Sequence, residues 1–406
     1  MLLIATACVS PSASPSPTPL IAAPSATPAA ETATPSPQTP EPVATGTATP
    51  APTATRTPLA LPPVSASCPA ARNVSVLALA KPIGADGVVG LFDARDAHNP
   101  KVLCALAIPG GRFVSATEIE YTRGTTASTQ IVRRDLMTGG EQVMRPPGEV
   151  PSGFGGLAYA WGRDGKTLVY LASVDPIPAS GCPCPGNSIH LVSGGTERVL
   201  GYFGEIPGRG FSAHGGDQVT ALFSPSGSKF VAVDTISGSA QIAEAKSLRV
   251  YSFDGRPLLE TNGTLPVWVG ETLLFRGCRF ENPACVKRWD GGSVTTVLSA
   301  VQWDDPVISV GTQLVAFSRW DGGCLGCVVL YDAGANTTKN LGTLRSRPMW
   351  ASRTVIWWSE EERCDYPSCL APAPTVPTDR MYAYDLNSGS ETLLPFSFAY
   401  DVWPRG

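Results

Sequence analysis

FSPSGSKFVAV, residues 223–233, decides the fold. A large apolar residue is followed by a short polar turn with a glycine and then by an apolar strand, the pattern of a tight antiparallel hairpin. WGRDGKTLVYLA repeats it from Trp161, and copies with shorter turns begin at Trp268 (WVGETLLF) and Trp350 (WASRTVIWW). Working outward, the residues heading each copy are Phe113, Trp161, Phe223, Trp268, Ile308, Trp350 and Trp403. Their intervals, about 40 to 60 residues, each hold one four-stranded sheet, which is the period of a β-propeller blade.

The second half of each unit is equally regular. A third strand ends at Asp93, Asp135, Ser193, Asp254, Asp290, Asp332 or Asp385, and a fourth follows, as in TERVLGYF from Thr196 and SETLLPF from Ser390. Aspartate at a hairpin turn accepts hydrogen bonds from backbone N–H groups two residues on, so this column reads as turn chemistry rather than a metal or catalytic set. The last head, Trp403, lies beside the C-terminus, while VSVLALA from Val74 reads as a second strand without a first. The C-terminal strand is therefore expected to be the innermost strand of the blade that the N-terminal strand starts, leaving no open sheet edge. The expected fold is an all-β, seven-bladed β-propeller with mixed-terminus ring closure; six blades is the alternative.

FSPSGSKFVAV and WGRDGKTLVYLA resemble the repeat of TolB-like propellers, whose usual form is FSPDGKxLAF. The repeat covers residues 70 to 406. The resemblance implies the fold and no particular function, and this chain departs from TolB itself in its blade number and in lacking an evident α/β domain before the propeller. The Gly-His and Trp-Asp signatures of WD-type propellers and the aspartate box of sialidases are also absent.

Ala5-Thr6-Ala7-Cys8 resembles the lipobox of bacterial lipoproteins, with small residues before a cysteine that becomes the lipidated N-terminus. The positive n-region and a full apolar run are missing between Met1 and Cys8, and a start upstream of Met1 would supply both. Residues 1–8 are accordingly read as a truncated or mis-started lipoprotein signal. Residues 9–67 are almost wholly Pro, Ser, Thr and Ala, with no aromatic residue and only Glu31, Glu41 and Arg56 charged. Such a segment cannot bury enough apolar surface to offset its ordering entropy, so it is expected to be a disordered, polyproline-rich stalk of about 3.1 Å per residue. Residues 68–406 are the propeller. The expected location is extracytoplasmic, on the outer face of the bacterial cell membrane, held by a lipid on Cys8.

The chain has 11 cysteines. With Cys8 set aside, close spacing in an exported protein predicts local disulfides Cys182–Cys184, Cys278–Cys285, Cys324–Cys327 and Cys364–Cys369. Cys68 and Cys104 remain, and a bridge between them would clamp the incoming chain to the first blade. Cys182 and Cys184 close a ring across one residue, so they can also pair with neighbours. Zinc is the rival for CLGC at Cys324, but four pairs on four loops of an exported chain favour disulfides. No metal and no cofactor is expected.

All four close pairs fall between the second and third strands of their blades. Those loops share one face with the connections leading into the innermost strands, including residues 204–217 with Arg209 and His214. Loops held in one shape lose less entropy on binding, which marks this face as a recognition surface. Arg209, His214, Asp217, Asp305 and Asp401 are its ligand-binding candidates, the aspartates standing with Asp304 around the channel mouth.

Only 16% of residues are charged and the net charge is −4, with no basic stripe to neutralise phosphates, so nucleic acid is excluded. With 3 histidines there is no His-rich metal site, and Ser212 beside His214 lacks a third orienting group for a triad. No catalytic residue is assigned. The expected function is binding of a protein, peptide or glycan by a monomeric surface lipoprotein. The alternatives are an extracytoplasmic carbohydrate-active enzyme using the mouth carboxylates and a structural envelope component.

Overall fold

Seven four-stranded antiparallel sheets make up the chain in the computed structural model, which describes residues 59–123, 130–144, 159–174, 186–203, 219–234, 247–277, 285–309, 311–320, 324, 326–363 and 375–404. Among them there is no α-helix, only a 3₁₀ turn at Pro69–Asn73. The innermost strands of blades two to seven are Arg112–Ser115, Tyr159–Trp161, Val219–Phe223, Thr264–Val269, Asp304–Ile308 and Arg345–Trp350. Every head residue read from the sequence lies on such a strand or, for Trp403, on the strand that fills this place in blade one.

Blade one is made from both ends of the chain. Its innermost strand is Phe396–Trp403, paired antiparallel with Leu77–Pro82, and Val89–Asp93 and Lys101–Leu106 follow outward. Leu77 opposes Trp403, Leu79 opposes Asp401 and Pro82 opposes Phe396. The ring is closed by strand pairing, so neither terminal sheet has an exposed inner edge.

A propeller blade has a neighbour on each side, so its middle strands bury both faces and lose the apolar–polar alternation of a one-sided sheet. Leu77, Ala78, Leu79 and Ala80 are all fully buried, as are Val315, Ala316 and Phe317 of blade six and Ile356, Trp357 and Trp358 of blade seven. The outermost strands keep polar residues, as in Thr337–Thr343. Several head residues also reach the preceding blade. The Trp350 indole N–H donates to Val307 O at 3.1 Å and the Trp268 indole to Leu222 O at 3.4 Å, so the large aromatic both fills the gap and satisfies a carbonyl of the adjacent inner strand.

The turn aspartates serve the turns. Asp135 Oδ1 accepts from the N–H groups of Met137 and Thr138, Asp332 Oδ1 from Gly334 and Ala335, and Asp385 Oδ1 from Asn387 and Ser388. Those backbone N–H groups hold the Asp135 and Asp385 carboxyls below the usual range.

Before the first blade, the chain lies along the ring's edge. Val64 forms a parallel bridge to Ala105, Cys68 N–H donates to Leu136 O, and Cys68 is disulfide-bonded to Cys104 across 36 residues of sequence. Ala66 touches Gly139 in the turn after the third strand of blade two, so the chain joins the ring on the side of those turns. This bridge closes a long loop in the unfolded chain. Replacing Cys68 and Cys104 together by serine should lower unfolding free energy by about 3–4 kcal/mol on the chain-entropy relation, read as a lower urea midpoint with an unchanged fold by circular dichroism.

Candidate functional site

A repeated break in the innermost strands builds the channel mouth. In blade five Thr264 opposes Arg276 and Val267 opposes Leu274, leaving one residue too many on the inner strand. Blade six has the same offset between Asp304 and Val307, and blade seven between Ser346 and Met349. These are β-bulges, and each holds a non-glycine residue in the left-handed region: Leu265 at φ 51°, Asp305 at φ 46° and Arg347 at φ 50°. A proline follows each of them (Pro266, Pro306, Pro348), and it has no N–H to leave unpaired where the ladder is interrupted. Blade one has the equivalent offset at Tyr400, between Ala399 and Asp401. The bulges thus set Leu265, Asp305, Arg347 and Tyr400 at one level on four successive blades.

Asp305 and Arg347 are exposed, and among the described residues neither side chain has an ion pair or hydrogen bond. Although solvent reaches Asp305, it stands within the ring, and the loss of surrounding water pushes its carboxyl up while the Arg347 charge pulls it down. The Arg347 guanidinium carbon is 5.9 Å from the centroid of the Phe398 ring, which meets Tyr400 edge-on at 5.0 Å. The Tyr400 ring packs where Gly110 of the next blade has no side chain; a Cβ there would lie 2.7 Å from the ring.

Behind Arg347 stands Glu361, 3% exposed. Its Oε1 accepts from the Ser346 hydroxyl. Its Oε2 and the nearby Thr375 hydroxyl are both buried, and neither meets hydrogen-bond geometry with a partner among the described residues. Burial pushes the Glu361 carboxyl up, against the pull of Ser346, Arg347 and Thr375. The neighbouring loop braces this corner. Cys324 is disulfide-bonded to Cys327, Gly326 O accepts from Arg345 N–H at 2.8 Å, and Glu361 N–H donates to Leu344 O at 2.8 Å.

The structure separates the sequence candidates. Asp305 stands free at the mouth. Asp401 does not: its Oδ2 accepts the Phe113 N–H at 2.7 Å and ties blade one to blade two. Asp304 is paired with Arg276 at 3.0 Å, with burial pushing its carboxyl up. Arg209, His214, Asp217, Cys8, Cys182, Cys184, Cys278, Cys364 and Cys369 lie outside the described residues. Cys285 is disulfide-bonded. Among the described residues no group of three or more His, Cys, Asp or Glu side chains is placed to hold a metal ion.

Sequence reasoning did not single out Arg347 or Glu361. The signal was present as a proline two residues before Trp268, Ile308 and Trp350, which marks the bulge and hence the side chain before it.

A second constellation has the outline of a triad. Ser188 Oγ lies 2.6 Å from His190 Nε2, His190 Nδ1 lies 2.5 Å from Glu197 Oε1, and the Tyr170 hydroxyl donates to the same carboxylate at 2.6 Å. Ser188 is 1% exposed, its hydroxyl also reaches Ala172 O, and its backbone lies within the strand ladder. A nucleophile needs access and free donors for an oxyanion. This network instead satisfies polar groups inside blade three, with the His190 ring stacked on Tyr170 at 4.6 Å.

No protein-family model matches the chain, and no curated protein matches it by sequence. Among solved structures, TolB from Acinetobacter baumannii is similar at 17% identity and TM-score 0.40, over 65% of this chain and 62% of that one. The chain therefore spans less than two thirds of that structure's length. A puromycin-hydrolyzing peptidase of Mycobacterium tuberculosis is similar at 14% identity and TM-score 0.43, over 82% and 55%. The β-propeller domain of the Trilobed protease from Pyrococcus furiosus is similar at 14% and 0.44, over 78% and 97%. At these values no ligand or reaction passes from them to this chain.

The Glu361 carboxyl couples the site to stability. Its pKa is raised by folding, so its contribution is fully present below the unfolded value of about 4.5 and is lost as pH rises through the folded value. Glu141 and Glu271 act in a lower window. Glu141 is held at about 2 by Tyr121 and Arg134, and Glu271 at about 2 by Ser226 and Lys229 against the opposing effect of burial. Glu361→Gln keeps the hydrogen-bonding shape without the charge. Urea midpoints measured above pH 4.5 should fall less steeply with pH in the variant than in the wild type, while both lose stability alike toward pH 2.

Proposed function

We propose that this chain is an exported lipoprotein, anchored through Cys8, whose propeller binds a protein, peptide or glycan on the face carrying the loops between second and third strands. The observation that carries the reading is the pair Asp305 and Arg347: two opposite charges, exposed at the channel mouth, unpaired among the described residues, and each held in a strained left-handed bulge. Backbone strain of about 1–3 kcal/mol per residue persists where surrounding structure fixes it, and such positions cluster at ligand sites. The Cys324–Cys327 ring supports the same corner and lowers the ordering cost of binding. The described part of the incoming chain joins the ring beside the opposite turns, at Ala66 and Gly139.

Binding is favoured over glycoside hydrolysis by the state of the carboxylates. A hydrolytic pair needs two free carboxyl groups flanking one bond. Of the mouth aspartates that are described, Asp304 is paired with Arg276 and Asp401 with the Phe113 N–H, which leaves Asp305. No helix among the described residues is long and apolar enough to cross a membrane.

Screening the full chain on peptide and glycan arrays should give a ligand whose affinity falls about tenfold or more in both Asp305→Asn and Arg347→Gln, the loss expected for one charge-assisted hydrogen bond. A ligand indifferent to both substitutions, or release of shortened glycan, would sink the reading. Incorporation of an alkynyl fatty acid that disappears in Cys8→Ser checks the anchor.

A further inference from the structure

Resting on that reading of the channel mouth, we propose that the ligand is a small zwitterion of the amino-acid or short-peptide class, its ammonium group held by Asp305 and its carboxylate by Arg347. The two side chains occupy the same bulge position on adjacent blades, so they stand side by side at one level of the ring. They feel one another's charge without forming an ion pair. A gap of this kind between opposite charges is complemented by a molecule with both charges in reverse order. A neutral sugar offers hydroxyl groups to each but neutralises neither, so the desolvation of both charges on binding goes uncompensated.

The surroundings agree with this order of charges. Arg347 presents a planar donor fork, which matches a carboxylate in two parallel hydrogen bonds. Its backbone is fixed by the N–H bond to Ser318 Oγ at 2.9 Å. Asp305 forms no ion pair among the described residues, and an incoming ammonium would complete it. The same-level residues beyond the pair are Leu265 on the Asp305 side and Tyr400 with Phe398 on the Arg347 side. A zwitterion lying between the charges would direct its side chain to one of these apolar neighbours, so apolar amino acids and dipeptides are the preferred members of the class. Glu361 lies behind Arg347, is closed off from solvent, and belongs to the support of the arginine rather than to the contact surface.

The test uses the full chain with the twenty free amino acids, a set of apolar dipeptides, the N-acetylated and C-amidated form of each dipeptide, and maltotriose as the neutral sugar. Affinity is read by calorimetry. A dipeptide or amino acid should bind, and blocking either of its ends should weaken it about tenfold or more. Asp305→Asn and Arg347→Gln should do the same, with urea midpoints near wild type. Exchanging the charges (Asp305→Arg with Arg347→Asp) should recover binding that either single change removes, because both residue types already occupy this backbone geometry. Absence of binding by every zwitterion, or equal binding of blocked forms, overturns the proposal. If arrays then give a neutral glycan or a protein that responds to Asp305→Asn and Arg347→Gln, the zwitterion proposal falls and the binding reading stands. If no ligand of any class responds to either substitution, both fall.

Discussion

The pairing of Leu77–Pro82 with Phe396–Trp403 is the interaction on which the rest of this structure depends. No blade has a core of its own. Each buries its two faces against its neighbours, so an open ring would expose one face of blade one and one of blade seven, both apolar. Phe92 and Phe396 of blade one and Trp357 of blade seven meet at ring centroids 5.1 Å apart, and the Trp357 indole donates to Ala97 O at 2.8 Å. These contacts exist only when the ends of the chain meet. The long-range pairing also explains why the chain leading into the first blade is tied down: the Cys68–Cys104 bridge and the Cys68 N–H bond to Leu136 O fix it across the junction with blade two.

Much of this architecture was legible because a blade repeats its chemistry. The heads are large and apolar since each fills the wedge between adjacent inner strands, and turn aspartates recur since most of these turns have backbone N–H groups for them to accept. What the sequence concealed depends on neighbours. Asp401 was read as a mouth residue from its place on the inner strand, but whether its carboxyl is free is decided by the Phe113 N–H, which another blade brings within 2.7 Å. Glu361 reads as one of three consecutive glutamates in an ordinary strand end. Its burial comes from the blade-six loop, where Gly326 leaves room against its Cγ.

Charge pairing elsewhere in the ring sets the mouth apart. Glu120 is 1% exposed and receives both Arg112 at 3.3 Å and Arg133 at 2.6 Å, while these arginines lie over Tyr159 and Trp161 of the next blade. Arg345 reaches Glu391 at 2.9 Å and Arg380 reaches Glu360 at 2.8 Å, close to the mouth itself. A buried ion pair contributes little net stability, but leaving one partner unpaired is costly. Asp305 and Arg347, by contrast, have no ion-pair partner among the described residues.

The bulges sharpen the point, because the fold and the side chains make separate demands. Re-aiming the inner strand at blades five, six and seven requires the extra residue and its left-handed backbone, and glycine or asparagine would meet that requirement with least strain. The fold alone therefore accounts for the bulge but not for an aspartate in one and an arginine in the next. Leu265 shows that an uncharged residue is accommodated at the same position. An exposed aspartate and an exposed arginine there have no ion pair or hydrogen bond among the described residues, and the Asp305 carboxyl is pushed up by the loss of surrounding water. On the proposed reading, a partner bearing complementary charges would complete both.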